Sequence, residues 1–372
     1  MVANPNGTYI NKVALTLLSI CLIGWLIYIG KDIIVPLSFA ILLSVLLLPV
    51  VRFFEKIGVP KILSITIALV TSVLIIFFVV YFMGSQISSF VNDIPAIQNQ
   101  LHLHFVQVQE FVLHKFGISK NQQIELINNA TEKIRNGGEV YLGESILSAT
   151  QTIFIIILLP IYSFLILYYR VMIRQFFLDV FDAKHEQKVT EVLHQSKSIV
   201  QNYMTGLLIE LAIVAVINAT GFLIIGIKYA IFLGLLSAIL NVIPYIGLLI
   251  ASVLCMAITL TTATNIYDVV WVGVILFVVH FVDNNFITPK VVSSKVKINA
   301  LLTIIGVFIG GSLAGISGMF LSIPAVAILK VIFDRVEGLQ PWGMLLGDEI
   351  PIPKKFSTFL KLKKKLTRQN LK

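Results

Sequence analysis

The sequence predicts an all-α polytopic membrane protein with about six spanning helices and two oppositely oriented re-entrant helical hairpins, about eight hydrophobic segments in all. Three observations predict it. Of 372 residues, 57% are hydrophobic and 13% charged, about half the charged fraction of a soluble domain. Mean hydropathy is +0.93, and several apolar runs exceed the ~18 residues that mark a bilayer-crossing helix. Two long apolar stretches, 230–263 and 300–332, are each broken near the centre by a turn signal. Backbone groups freed at such breaks find no water at bilayer depth, so they persist only where protein buries them or where they line a polar cavity. Paired breaks in two halves of a membrane protein point to a substrate site, and the chain reads as a transporter.

Residues 1–83 carry the first three spans, at 13–29, 33–51 and 62–83. The first has no small-x-small cleavage site and reads as a retained span. Residues 84–145 form an extracytoplasmic amphipathic segment. Ile94, Ile97, Leu101, Phe105, Val108 and Val112 recur there at helical steps, and a more polar helix at 120–138 stops at a Gly-Gly pair. Residues 146–204 hold a fourth span at 146–169 and a cytoplasmic amphipathic helix at 187–202. A transport core follows at 205–334: a span at 205–227, the first hairpin, a span at 269–288 and the second hairpin. The tail, 335–372, has eight basic residues from Lys354 onward and no acid there, so only +1 of the net +9 belongs to the rest of the chain. Apolar side chains interleave with those lysines, which suits an anionic lipid surface better than nucleic acid.

Lys and Arg cluster in alternate loops: Arg52, Lys56 and Lys61; Arg170, Arg174, Lys184, Lys188 and Lys197; Lys290, Lys295 and Lys297; then the tail. All fall on one side if each broken stretch enters and leaves by the same face, which puts both termini in the cytoplasm. Each span-plus-hairpin unit then has the opposite topology to the other, the arrangement of an inverted repeat.

In the first break, Pro244 lacks a donor and Gly247 permits positive φ, while Asn241 and Tyr245 add polar side chains. In the second, Gly310, Gly311, Gly315 and Gly318 fall within nine residues and favour a loop, with Ser312 and Ser317 as candidate ligands. The span at 269–288 ends with Asp283, Asn284, Asn285 and Pro289, and Pro289 is expected to end the helix. An intramembrane carboxylate is costly and points to function. Asp283 could bind a coupling cation, take a proton, or pair with Lys290 or His280. Glu210, in the preceding span, is the second buried acid.

Other chemistries find less support. Gly315-Ile-Ser-Gly318 matches an intramembrane serine protease pattern, but no His follows residue 280 to act as base. His185-Glu186 lacks the second His of a zinc helix. Cys21 and Cys255 lie in apolar runs and read as small hydrophobes. The chain is therefore expected to be no enzyme, with no cofactor and no metal site, and without a P-loop it does not use ATP directly.

Three blocks, Asn241-Val-Ile-Pro-Tyr-Ile-Gly247, Asp283-Asn-Asn-Phe-Ile-Thr-Pro-Lys290 and Gly310-Gly-Ser-Leu-Ala-Gly-Ile-Ser-Gly-Met-Phe-Leu-Ser-Ile-Pro324, resemble the autoinducer-2 exporter family in order and spacing. The resemblance implies a bacterial inner-membrane protein that exports small solutes. Some relatives are linked to the quorum signal autoinducer-2, others to sodium/proton exchange. Homo-oligomers, pentamers among them, are also implied. Leu248, the Ser293-Ser294 pair and Asn299-Ala300 depart from the residues common in relatives, and the solute is not carried over. Three functions are expected to compete: export of a small polar solute, sodium/proton antiport on the same fold, and a non-transporting membrane scaffold.

Overall fold

The computed structural model describes residues 5–93, 113, 115, 145–291 and 298–348. The described segments are helical: α1 (Pro5–Ile29), α2 (Lys31–Lys56), α3 (Lys61–Asn92), α4 (Ser145–Tyr168), α5 (Arg170–Asp179), α6 (Glu186–Ile224), α7 (Ala230–Asn241), α8 (Gly247–Thr262), α9 (Tyr267–Val282), α10 (Thr288–Val291), α11 (Ala300–Arg335) and α12 (Gln340–Leu346). A π turn, Asp283–Ile287, joins α9 to α10. Five helical stretches are long and apolar enough to cross a membrane, and the pair α4–α5, bent by 64°, makes a sixth when taken as one span.

Of these segments, α2 and α3 form a layer with α4. Leu47, Val51, Ile65, Ala68, Leu69 and Leu167 make its core. Small polar residues let α2 and α4 approach: Ser44 Oγ donates to the Ser163 carbonyl and Ser163 Oγ to the Ala40 carbonyl, each at 3.3 Å. Such bonds between membrane helices are worth only ~0.6 kcal/mol on average, so close packing carries most of the contact. Lys61 Nζ donates to the Tyr168 carbonyl at 2.6 Å, satisfying a C-terminal carbonyl of α4.

The two broken stretches are helical hairpins. In the first, α7 and α8 run antiparallel, with Cys255 Sγ reaching the Leu233 carbonyl. Their 12 and 16 residues give about 18 and 24 Å of helix, less than a ~30 Å bilayer core. In the second, α11 is folded upon itself at Ala314 and Gly315, whose φ of 60° and ψ of −145° suit only glycine. A Cβ on Gly306 would meet Val326 at 2.9 Å, whereas a straight helix would hold those residues about 30 Å apart.

The hairpins open toward opposite ends of α6. The first begins just past the C-terminus of α6, where Lys228 and Tyr229 both donate to Asp93 at the end of α3. The second has its base beside the N-terminus of α6, where Glu337 pairs with Lys188 and Arg335 with Glu191. Both ends of the second hairpin lie together there, since Asn299 N–H donates to the Leu346 carbonyl and Ile298 pairs with Gly347.

Several boundaries differ from expectation. The helix expected to stop at residue 83 runs on to Asn92, with the hydroxyls of Ser85 and Ser89 turned back onto helix carbonyls. The separate cytoplasmic helix at 187–202 and the span at 205–227 are one helix, α6, because nothing between them breaks the backbone ladder. Pro289 does not end its helix: α10 continues through it to Val291. The helices expected at 94–112 and 120–138, and the basic tail from residue 349, lie outside the described residues.

Candidate functional site

Asp283 is 2% exposed and sits where α9 gives way to the π turn. A π turn adds a residue per turn, so Asp283 and Thr288, five positions apart, face the same way. Thr288 Oγ1 lies 3.4 Å from Asp283 Oδ1 and 3.3 Å from Glu210 Oε1 on α6. A hydroxyl has one proton and donates to one carboxylate at a time. Thr288 thereby ties the two acidic side chains to one hydroxyl. Two acidic side chains that share one hydroxyl in an apolar surround repel one another, and a proton or cation near them relieves that repulsion.

The third partner comes from the break in the first hairpin. Asn241 is the last residue of α7, and its Nδ2 donates to Asp283 Oδ2 at 2.9 Å. The break is made differently from the sequence expectation. The positive φ, 64°, belongs to Tyr245, not to Gly247. Gly247 is needed for closeness, because a Cβ there would lie 1.9 Å from the Leu240 carbonyl oxygen. Pro244 stands inside the turn, and its carbonyl accepts from the Ile246 N–H.

Deeper along the same seam, Asn218 Nδ2 donates to Ser237 Oγ at 2.9 Å, and Ser237 Oγ donates to the Gly234 carbonyl. Gly234 packs against the Ala219 backbone, which brings α6 and α7 into direct contact. Asn218 Oδ1 and His280 Nδ1 are buried without partners. Between them lies a cavity of about 20 Å³, lined by Asn218, Ser237, Asn241, His280 and Asp283 with apolar neighbours. That is room for one water-sized species.

The structure thus gathers Asn241, Asp283 and Glu210, and leaves other candidates elsewhere. Asn284 pairs with His280 Nε2, Asn285 caps the Phe281 carbonyl, and both are exposed. Lys290 is exposed as well, so of the alternatives for Asp283, pairing with Lys290 or His280 is replaced by Asn241 and Thr288. Tyr245 and Pro289 point away, exposed. Gly310, Gly311, Ser312, Gly315, Ser317 and Gly318 form the second hairpin's tip and do not line this cavity. Gly310 and Gly318 cross there, a Cβ on Gly318 falling 1.9 Å from the Gly310 carbonyl oxygen, and Ser312 donates to its own helix at Phe308.

Sequence reasoning missed Thr288 and Ser237. Ser237 had a signal, lying one turn before Asn241 on the same helical face. Thr288 had none, because its alignment with Asp283 needs the π turn. Among the described residues no group of three His, Cys, Asp or Glu side chains is placed to hold a metal.

A family model described as AI-2E family transporter matches residues 15–338. The chain is 26% identical over 318 residues to "Putative transport protein YrrI" of Bacillus subtilis, covering 82% of this chain and 87% of that one. It is 24% identical over 325 residues to "Putative transport protein YhhT" of Escherichia coli K12, covering 87% and 91%. It is 24% identical over 353 residues to "AI-2 transport protein TqsA" of the same organism, covering 90% and 95%. With the family pattern spanning nearly its whole length, and with a buried carboxylate at the mouth of a broken helix, this chain belongs to the AI-2E transporter family.

Proposed function

We propose that this transporter exports a small polar solute across a bacterial inner membrane, with both termini in the cytoplasm, and that Asp283 and Glu210 couple export to the movement of a proton or monovalent cation. The observation that carries the reading is Asp283: nearly inaccessible, sharing the Thr288 hydroxyl with Glu210, and hydrogen-bonded to Asn241 at the break of the first hairpin. Neutralising the pair with a proton or cation alters what Asp283 can accept from Asn241. Its charge state and the hairpin's position are thereby linked, which is what coupling requires. A cavity of about 20 Å³ does not admit a multi-atom solute, so on this reading the first hairpin shifts to load one. The name of the TqsA relative makes autoinducer-2 one candidate solute.

Sodium/proton antiport is the second reading, favoured by the carboxylate pair itself, since such a pair can exchange a proton for a cation with no further solute. Everted vesicles carrying a pH-sensitive dye distinguish the two. A pH change on adding sodium, present with the native chain and absent with Asp283→Asn, supports antiport. A solute-dependent pH change without a sodium response supports coupled export. Neither response, in vesicles that contain the folded protein, overturns the coupling role of the pair.

A further inference from the structure

A second polar feature lies at the basic end of the molecule, away from the carboxylates. Where the last turns of α2 meet α6, a cavity of about 290 Å³ opens. Its polar lining comprises Arg52, Lys56, Lys197 and Gln201, its wall includes Pro49 and Phe53, and none of its lining residues is acidic. The nearby Glu55 is already used: Arg170 Nη2 donates to both its oxygens, at 2.7 and 2.8 Å. Arg170 itself lies within Coulomb range of Lys197, as does Arg52, and its Nη1 is buried without a partner.

Among the described residues, Arg52, Lys56 and Lys197 form no ion pair and donate no hydrogen bond to the protein. Lys56 and Arg52 near the C-terminus of α2 gain something from the helix dipole. Lys197 does not: it sits in the interior of a 39-residue helix, half-buried, facing two arginines. Its ammonium is held where neither solvent nor an acid compensates it fully. Such a cluster is relieved by an anion with several acceptor oxygens, which suits a guanidinium fork and two ammonium groups together.

We infer that the cavity between α2 and α6 is a binding site for a phosphate group, held by Arg52, Lys56 and Lys197 with Gln201 as an uncharged donor. The phosphate has two sources, an anionic phospholipid headgroup or a soluble phosphate. The apolar Leu48, Pro49 and exposed Phe53 beside the cations suit the glycerol and first acyl carbons of a lipid, and basic pockets between membrane helices are common headgroup sites. The site is independent of the solute and of the carboxylate pair.

The test uses the full chain, purified in detergent and stripped of lipid. In one arm, native mass spectrometry compares retention of phosphatidylglycerol with that of phosphatidylcholine. In the other, thermal melting is followed against inorganic phosphate, with chloride at equal ionic strength as control. Retention of phosphatidylglycerol is expected to exceed that of phosphatidylcholine. It is expected to fall at least about tenfold in Arg52→Gln and in Lys197→Gln, the loss of one charge-assisted hydrogen bond. Lys188→Gln, which lies outside the cavity, should leave it unchanged, and Arg52→Lys should retain part of it. A melting shift by inorganic phosphate that the same variants abolish, without lipid selectivity, assigns the site to a soluble phosphate. Binding in neither arm, or binding equal in native chain and folded variants, overturns the inference.

Discussion

The two hairpins share a broken-helix form and differ in what they carry. In the first, the break delivers polar chemistry to a neighbouring helix: α7 ends at Asn241, and Asn241 reaches Asp283. In the second, the tip keeps its polar groups to itself. Ser312 and Ser322 donate to carbonyls of their own helix, and beyond the tip Phe320 stacks on Phe39 at 5.5 Å and lies 6.4 Å from Tyr203. A re-entrant shape is therefore no guarantee of a ligand site. One hairpin is built around a charge, the other around close backbone contact.

The sharpest way to break that contrast is at the charge. Asp283→Asn keeps the side chain's shape and removes its ability to hold a proton or cation. Efflux is expected to fall to background while expression and assembly persist, and efflux at the native level would deprive the first hairpin of its special role. Next come substitutions of the contact glycines. Gly318→Ala drives a Cβ onto the Gly310 carbonyl, and Gly247→Ala drives one onto Leu240. Each should cost about 1–3 kcal/mol of stability, seen as lowered melting in detergent. Gly311→Ala meets only the Met319 side chain, its Cε at 2.7 Å and its Cγ at 3.0 Å, which can swing aside, and should change melting little. A comparable loss there would mean that the second hairpin's tip is packed throughout and not only where its arms cross.

Asn241→Ala separates the hairpins differently. It leaves Asp283 Oδ2 without its donor, a loss of about 1–3 kcal/mol for a buried group. Solute efflux should weaken more than stability does, measured by transport and melting on the same preparation. The smallest effect is expected at the base of the first hairpin. The Lys228 ammonium and the Tyr229 hydroxyl hold the Asp93 carboxyl below its ordinary value of 3.8. A carboxyl lowered on folding stabilises the fold fully above that ordinary value, and the contribution fades as pH falls through the folded one. Asp93→Asn should therefore lower melting slightly at neutral pH, and the difference from the native chain should vanish in strong acid.

Much of this was legible in the sequence because membrane depth leaves strong marks. Both breaks fall within the residues expected, 241–247 and 310–318, and Asp283 and Glu210 stood out as acids in apolar runs. What escaped detection depends on local backbone detail. Glycine content could not reveal that Tyr245 takes the positive φ while Gly247 serves a close approach, since the same residue type satisfies either need. Nothing in the composition announces the π turn that aligns Thr288 with Asp283. The continuity of α6 was hidden because its amphipathic first half and apolar second half carry different periodicities while the backbone does not change. The Gly310–Gly318 loop, although it carries candidate ligands, does not meet Asp283, because the second hairpin packs on α2 and α6.

That unbroken helix has a mechanical meaning. Its 39 residues make a rod about 58 Å long, with one hairpin mouth anchored at each extremity and Glu210 between them. Rocking such a rod about its middle displaces the two mouths in opposite senses, so widening one vestibule narrows the other. Under the proposed coupling, a single stiff member would keep the two openings from standing ajar together, with Glu210 near the pivot as the place where a passing proton or ion would set the direction of the swing.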